Sequence, residues 1–177
     1  MIERKKQRKA KIGLFAVVHG VYFDQFEGLY EKLTKYHSDL AEKLRANEVE
    51  VMDLGMIDSN AGAFEAADKF NGEAVDLIIC NMITYATSSV FAPVLKNATA
   101  PMILTALQPR EAMDYTKAST FMQLENDNIC SVPEFMGVAA RMNKKIYDVI
   151  IGVLYGDEEA EARLPLPDEV AQIITAA

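Results

Sequence analysis

Five short apolar runs, each continuous rather than alternating, constrain this chain more than any other feature. They are Ile12–Val18, Glu50–Leu54, Leu77–Cys80, Met102–Leu107 and Ile146–Leu154. A strand covered on one face alternates apolar and polar residues, whereas a continuous run reads as a strand covered on both. Helical patterns separate most of these runs. Phe23–Ala46 places Phe26, Leu29, Leu33, Leu40 and Leu44 at helical spacing, and Asn60–Phe70 places Ala63, Phe64, Ala67 and Phe70 likewise. Ser88–Lys96 opens on a serine suited to a cap, and Pro133–Met142 has proline in its first turn. A further helix is expected over Arg110–Ala118. The order β-α-β-α-β-α-β-α-β predicts an α/β fold: an open, mostly parallel, doubly wound sheet of about five strands, flavodoxin-like or Rossmann-like, with helices on both faces.

The chain has 177 residues, enough for one domain with a substantial core. Residues 1–11 read as a basic leader, 12–163 as the α/β domain, and 164–177 as a linker and terminal helix leading toward later domains outside this chain. The leader "MIERKKQRKAK" holds six Lys or Arg and one Glu, a formal +5, which leaves −13 on the rest of a chain of net charge −8. An acidic body repels phosphates, so no nucleic acid partner is expected, and the leader reads as a solvated arm before the first strand. No apolar stretch approaches a membrane span and no signal peptide is evident, so the reading is a cytoplasmic protein with no membrane partner. Cys80, inside an apolar run, reads as a reduced core residue, and Cys130 as a more exposed one. The two Cys and two His are too scattered for a zinc site.

Ligands of open α/β sheets bind beyond the carboxyl ends of the strands. Here those ends read His19-Gly20-Val21-Tyr22, Gly55-Met56, Asn81-Met82-Ile83-Thr84-Tyr85, Gln108-Pro109 and Tyr155-Gly156. A rim of His19, Tyr22, Asn81, Thr84, Tyr85 and Gln108 would offer neutral hydrogen-bonding groups and ring faces, the mixture a polyol needs. His37, in "KLTKYHSDL", reads as an exposed helix residue. "VVHGVYFDQFEG" lacks the GxGxxG pattern, and the chain has neither a P-loop nor a GxSxG elbow. The first and third runs are not followed by the aspartates of a receiver domain, and no Gly-rich or Ser/Thr-rich phosphate loop suits a flavin mononucleotide.

Three segments resemble the N-terminal domain of the L-arabinose isomerases, within the arabinose/fucose isomerase family. They are "VVHGVYFDQFEGL", "DLIICNMITYATSS" and "FMQLENDNICSVPEFMGVAARM", with Glu134–Met142 the closest match. The resemblance implies aldose–ketose interconversion by a metal-dependent enzyme, usually with manganese, whose catalytic glutamates and metal-binding histidines lie in later domains. On that reading this chain is a substrate-pocket and oligomerisation domain, not catalytic alone and binding no metal itself. Its partners would be a small-molecule sugar and further copies in a homo-oligomer. Carried over by position, His19, Val21, Tyr22 and Met122 take family substrate-side positions, and Thr84, Tyr85 and Gln108 join them from the strand ends. The rival reading is a stand-alone sugar-binding or regulatory α/β module related to periplasmic-type binding lobes. A third is a pure oligomerisation domain.

Overall fold

In the computed structural model, which describes residues 9–176, the five apolar runs form one sheet in the order β2-β1-β3-β4-β5. The strands are β1 (Lys11–Val17), β2 (Glu50–Ile57), β3 (Leu77–Met82), β4 (Met102–Gln108) and β5 (Ile146–Val153), all paired in parallel. The predicted α/β open sheet is therefore observed. Successive side chains of the central strands go to opposite faces. Phe15, Ile78, Cys80 and Leu104 pack under α3 (Asn60–Gly72), α4 (Ser88–Asn97) and α6 (Val132–Arg141). Ile12, Leu14, Leu77, Ile79 and Ile103 pack with α2 (Leu29–Ala46), α7 (Glu158–Ala162) and α8 (Pro167–Ala176). Both faces are buried, which is why the runs do not alternate. Gly13 lets the Phe70 ring lie on β1, for a Cβ there would stand 2.6 Å from that ring.

Three local expectations are corrected. The single helix over Phe23–Ala46 is two, α1 (Val21–Gln25) and α2, because Gly28 takes a left-handed φ of 83° and turns the chain between them. The helix expected over Arg110–Ala118 is irregular chain, and α5 (Thr120–Leu124) follows it. Asp114 captures the Thr116 amide (3.0 Å) and hydroxyl in a local turn, in competition with helix, while Ser119 caps α5 through the Met122 amide at 3.2 Å. Finally, β2 runs past Leu54 to Ile57 through an irregular register opposite Leu14–Ala16, so its rim begins at Asp58 rather than Gly55.

The terminal helix α8 docks through Val170, fully buried in the second core. Residues 1–8 of the basic leader lie outside the described residues, and Lys11 already belongs to β1. Among the described residues no helix is long and apolar enough to cross a membrane. The strand order has a consequence for the site. The chain leaves β1 toward the α2 face and β3 toward the α4 face, and β1 and β3 are neighbours. The gap between their carboxyl ends is the topological switch point, where open α/β sheets leave a crevice.

Candidate functional site

At the end of β1, Val18 is tied to the end of β2 by its amide, which donates to the Ile57 carbonyl at 3.1 Å. His19 and Gly20 then turn the chain into α1. A side chain on Gly20 would meet the Asp58 carboxylate at 2.5 Å, so glycine allows that acid to close in. His19 and Tyr22 are half-buried, and their rings meet edge to face with centroids 5.2 Å apart. The Tyr22 phenol is raised above its ordinary pKa first by burial, then by Tyr85, Asp127 and Cys130. Three loops thus surround it: its own, the one after β3, and the one after α5. Val21 beside it is 49% exposed.

The loop after α5, residues 125–131, is stitched down by its own polar side chains and by two residues expected at the rim. The Thr84 hydroxyl, itself buried, donates to the Leu124 carbonyl at 2.8 Å. Gln108 donates to the Asn126 carbonyl at 2.7 Å, and the Asn126 side chain accepts from the Arg110 amide at 3.0 Å. Asn128 donates to the Leu107 carbonyl at 3.0 Å, and Ser131 donates to the Ala86 carbonyl at 2.9 Å. Glu125 is fully buried and accepts from Lys32 (2.7 Å) and from Arg110 Nε (2.8 Å). Lys32 and Arg110 are thereby both engaged by one buried carboxylate.

Of the seven expected site residues, His19, Val21, Tyr22 and Tyr85 stand together at the switch point. Thr84 and Gln108 are hydrogen-bonded into the scaffold beneath it, and Met122 is half-buried on α5. Asn81, expected on the rim, lies inside β3 and is buried. There it completes a polar chain. His37 Nε2 meets Asp53 at 2.8 Å, Asn81 Nδ2 meets His37 Nδ1 at 3.2 Å, and the Thr105 hydroxyl donates to Asn81 Oδ1 at 3.2 Å. His37, expected exposed, is 3% exposed. The signal was its spacing, four residues after Leu33 and three before Leu40, on the buried stripe of α2.

A cleft of about 950 Å³ opens beyond β4, walled by Gln108, Tyr115, Gln123, Asn126 and Asp127. Asp127 therefore belongs both to this cleft and to the surroundings of Tyr22. A second cleft of about 830 Å³ lies at the opposite, amino-terminal end of the sheet, against Ala10, Asn47 and α8, away from the strand ends that bind ligands in such folds. Cys130 is exposed, yet its thiol is pushed up to about 12, first by desolvation and then by its contact with Asp127. No group of three or more His, Cys, Asp or Glu among the described residues is placed to hold a metal ion.

No family model matches the chain. No curated protein matches it either. Solved structures that resemble it include a 3-dehydroquinate dehydratase-like protein from Bifidobacterium longum, at 12% identity and TM-score 0.42, covering 94% of this chain and 97% of that one. Another is the type II dehydroquinase from Propionibacterium acnes, at 16% identity and TM-score 0.41, covering 88% and 98%. At such values the likeness is one of fold and assigns no activity.

No family model or curated protein of the sugar isomerases matches the chain, and the solved structures it resembles bear other names, so the resemblance to L-arabinose isomerase is corrected, together with the isomerase-domain function. The sugar-binding or regulatory module related to periplasmic-type lobes is corrected with it, since no family model or curated protein of that kind matches the chain. The segments behind the resemblance have a physical explanation in the fold. The closest, Glu134–Met142, is α6, whose pattern is set by packing: Phe135 stacks on Phe91 at 4.4 Å, and Glu134 accepts the Ser88 amide at the start of α4 at 2.8 Å. The segment before it is the stitched loop with buried Glu125. A packing helix and a tethered loop can look alike in proteins of different chemistry.

Proposed function

We propose that this chain binds a small, uncharged, hydroxyl-bearing molecule at the carboxyl ends of β1 and β3, with His19, Tyr22 and Tyr85 as its contacts. The observation that carries this reading is the edge-to-face contact of the His19 and Tyr22 rings at the switch point, with Tyr85 near enough to act on the Tyr22 phenol, on loops held by hydrogen bonds from Thr84 and Gln108. Imidazole and phenol groups each donate and accept, and their faces suit C–H groups. Val21 adds exposed apolar surface, and Met122 lies on the helix leading into the tethered loop. Charge argues against an anion. Asp58 and Asp127 border the rim, while Lys32 and Arg110 are engaged by Glu125. Cys80 and Cys130 are free thiols, which suits a reducing compartment, and the cytoplasm is part of the same proposal.

Isothermal titration with myo-inositol, and with quinate as a hydroxylated ring of similar size bearing a carboxylate, tests it. The neutral polyol binds, and Tyr22→Ala or Tyr85→Ala each weaken it about tenfold, the loss of roughly 1.4 kcal/mol of ring and hydroxyl contact. Failure of the native chain to bind myo-inositol, or tighter binding of quinate, overturns the reading.

A further inference from the structure

The segment between β4 and α5 is built differently from the loop that follows α5. Residues 111–120 are exposed except for half-buried Met113. Among the described residues, the hydrogen bonds within 111–118 are local ones. Asp114 holds the Thr116 amide (3.0 Å) and hydroxyl, the Lys117 amide donates to the Asp114 carbonyl at 3.0 Å, and Lys117 pairs with the Asp114 carboxylate at 3.2 Å. Both ends, in contrast, are fixed to the scaffold. Arg110 is bound by its amide to Asn126 and by its guanidinium to buried Glu125, and α5, capped by Ser119, is tied at Leu124 to the Thr84 hydroxyl. A segment anchored at both ends and self-contained between them moves as a unit at little cost.

At its tip stands Tyr115, 86% exposed. Tyr115 and Asp127 are both walls of the 950 Å³ cleft, and Asp127 also neighbours Tyr22. Inward movement of the tip would narrow this cleft and bring the phenol toward the switch point. A ring of this size would gain substantial burial by such closure over a ligand.

We propose that residues 111–118 form a flap that closes over the bound molecule, with Tyr115 as the residue that covers its outer face and sets which molecules fit. This inference rests on the ligand site described above. The flap excludes water from the ligand and adds one ring to the three that hold it from beneath. With Glu111 and Asp114 against one Lys117, itself paired with Asp114, the flap is net acidic and disfavours anions.

Trypsin offers a direct readout, since the Lys117 side chain is 80% exposed within the flap. In the full chain without ligand, cleavage after Lys117 precedes any cut within the strands. Saturating myo-inositol slows that cut at least fivefold, and Tyr115→Ala weakens myo-inositol binding about tenfold while Tyr115→Phe retains most of it. The melting temperature of Tyr115→Ala matches that of the native chain, because the side chain is exposed. Binding of myo-inositol without protection of Lys117, or with full affinity in Tyr115→Ala, overturns the flap and leaves the contacts of His19, Tyr22 and Tyr85 standing. Absence of any myo-inositol binding overturns both.

Discussion

His37→Leu separates a buried polar chain from a solvated helix residue. The residue is 3% exposed, and its side chain bridges Asp53 and Asn81, at 2.8 and 3.2 Å. Leucine removes the acceptor from Asn81 Nδ2, which no water can reach to replace, at a cost of about 1–3 kcal/mol. It also removes a donor from the Asp53 carboxylate. That side chain is 25% exposed and keeps the Gly55 amide at 2.8 Å, so this second loss is discounted to about 1 kcal/mol. The greater apolar burial of leucine offsets about 1 kcal/mol. The net is about 2 kcal/mol, or a fall in Tm of about 4–8 °C for a chain of this size. Urea unfolding followed by circular dichroism measures it, with the native chain, both single variants and His37→Leu/Asn81→Leu completing a cycle. Because the two side chains share one hydrogen bond, Asn81→Leu costs about 1 kcal/mol less in the His37→Leu background than in the native chain. A His37→Leu variant as stable as the native chain, or strict additivity in the cycle, would refute the reasoning.

Other consequences concern acid, packing and thiol chemistry. Burial pushes the Asp53 carboxyl up, but the hydrogen bond from His37 and its electrostatic attraction, the Gly55 amide and Arg45 outweigh it and hold the group below its ordinary pKa. A depressed folded value means stability present above the unfolded value of about 3.9 and lost as pH falls through the folded one, so urea midpoints below pH 4 fall more steeply for the native chain than for His37→Leu. Gly13→Ala drives a methyl to 2.6 Å from the fully buried Phe70 ring and destabilises by about 1–3 kcal/mol in the same urea assay, and Phe70→Leu in that background recovers part of the loss. Cys130, though exposed, has its thiol at about 12, so at pH 8 it reacts with a disulfide reagent at least about a hundredfold slower than free cysteine; a rate equal to that of glutathione contradicts this.

The sheet was legible because burial on both faces leaves continuous apolar runs, and each of the five became a strand. Strand order was not, since it depends on which face each crossover takes, and the helices between β1, β2 and β3 carry no local mark of that choice. The split between α1 and α2 was hidden by a helical period that continues across Gly28, whose φ of 83° breaks it. His19, Tyr22 and Tyr85 could be placed because the residues after parallel strands must lie at one end. The buried chain was missed through a common error of weighting. His37 was read by its polarity, although its position between Leu33 and Leu40 put it on the buried stripe, and Asn81 was set on the rim because the strand was ended at Cys80, two residues short of Met82. Loop 125–131 lies in a segment that resembles the sugar isomerases, but its asparagines tether backbone: Asn126 and Asn128 bond to the Arg110 amide and the Leu107 carbonyl.

Amide NMR of the native chain during titration with myo-inositol tests the central claim most directly, because it reports where a molecule binds as well as whether it does. The account predicts shifts concentrated in residues 18–23 and 83–87, with smaller ones in 111–118 and 127–130, and no shifts along the amino-terminal cleft at Asn47, Glu48 and α8. Shifts centred on that opposite cleft, with residues 18–23 and 83–87 unmoved, would contradict it.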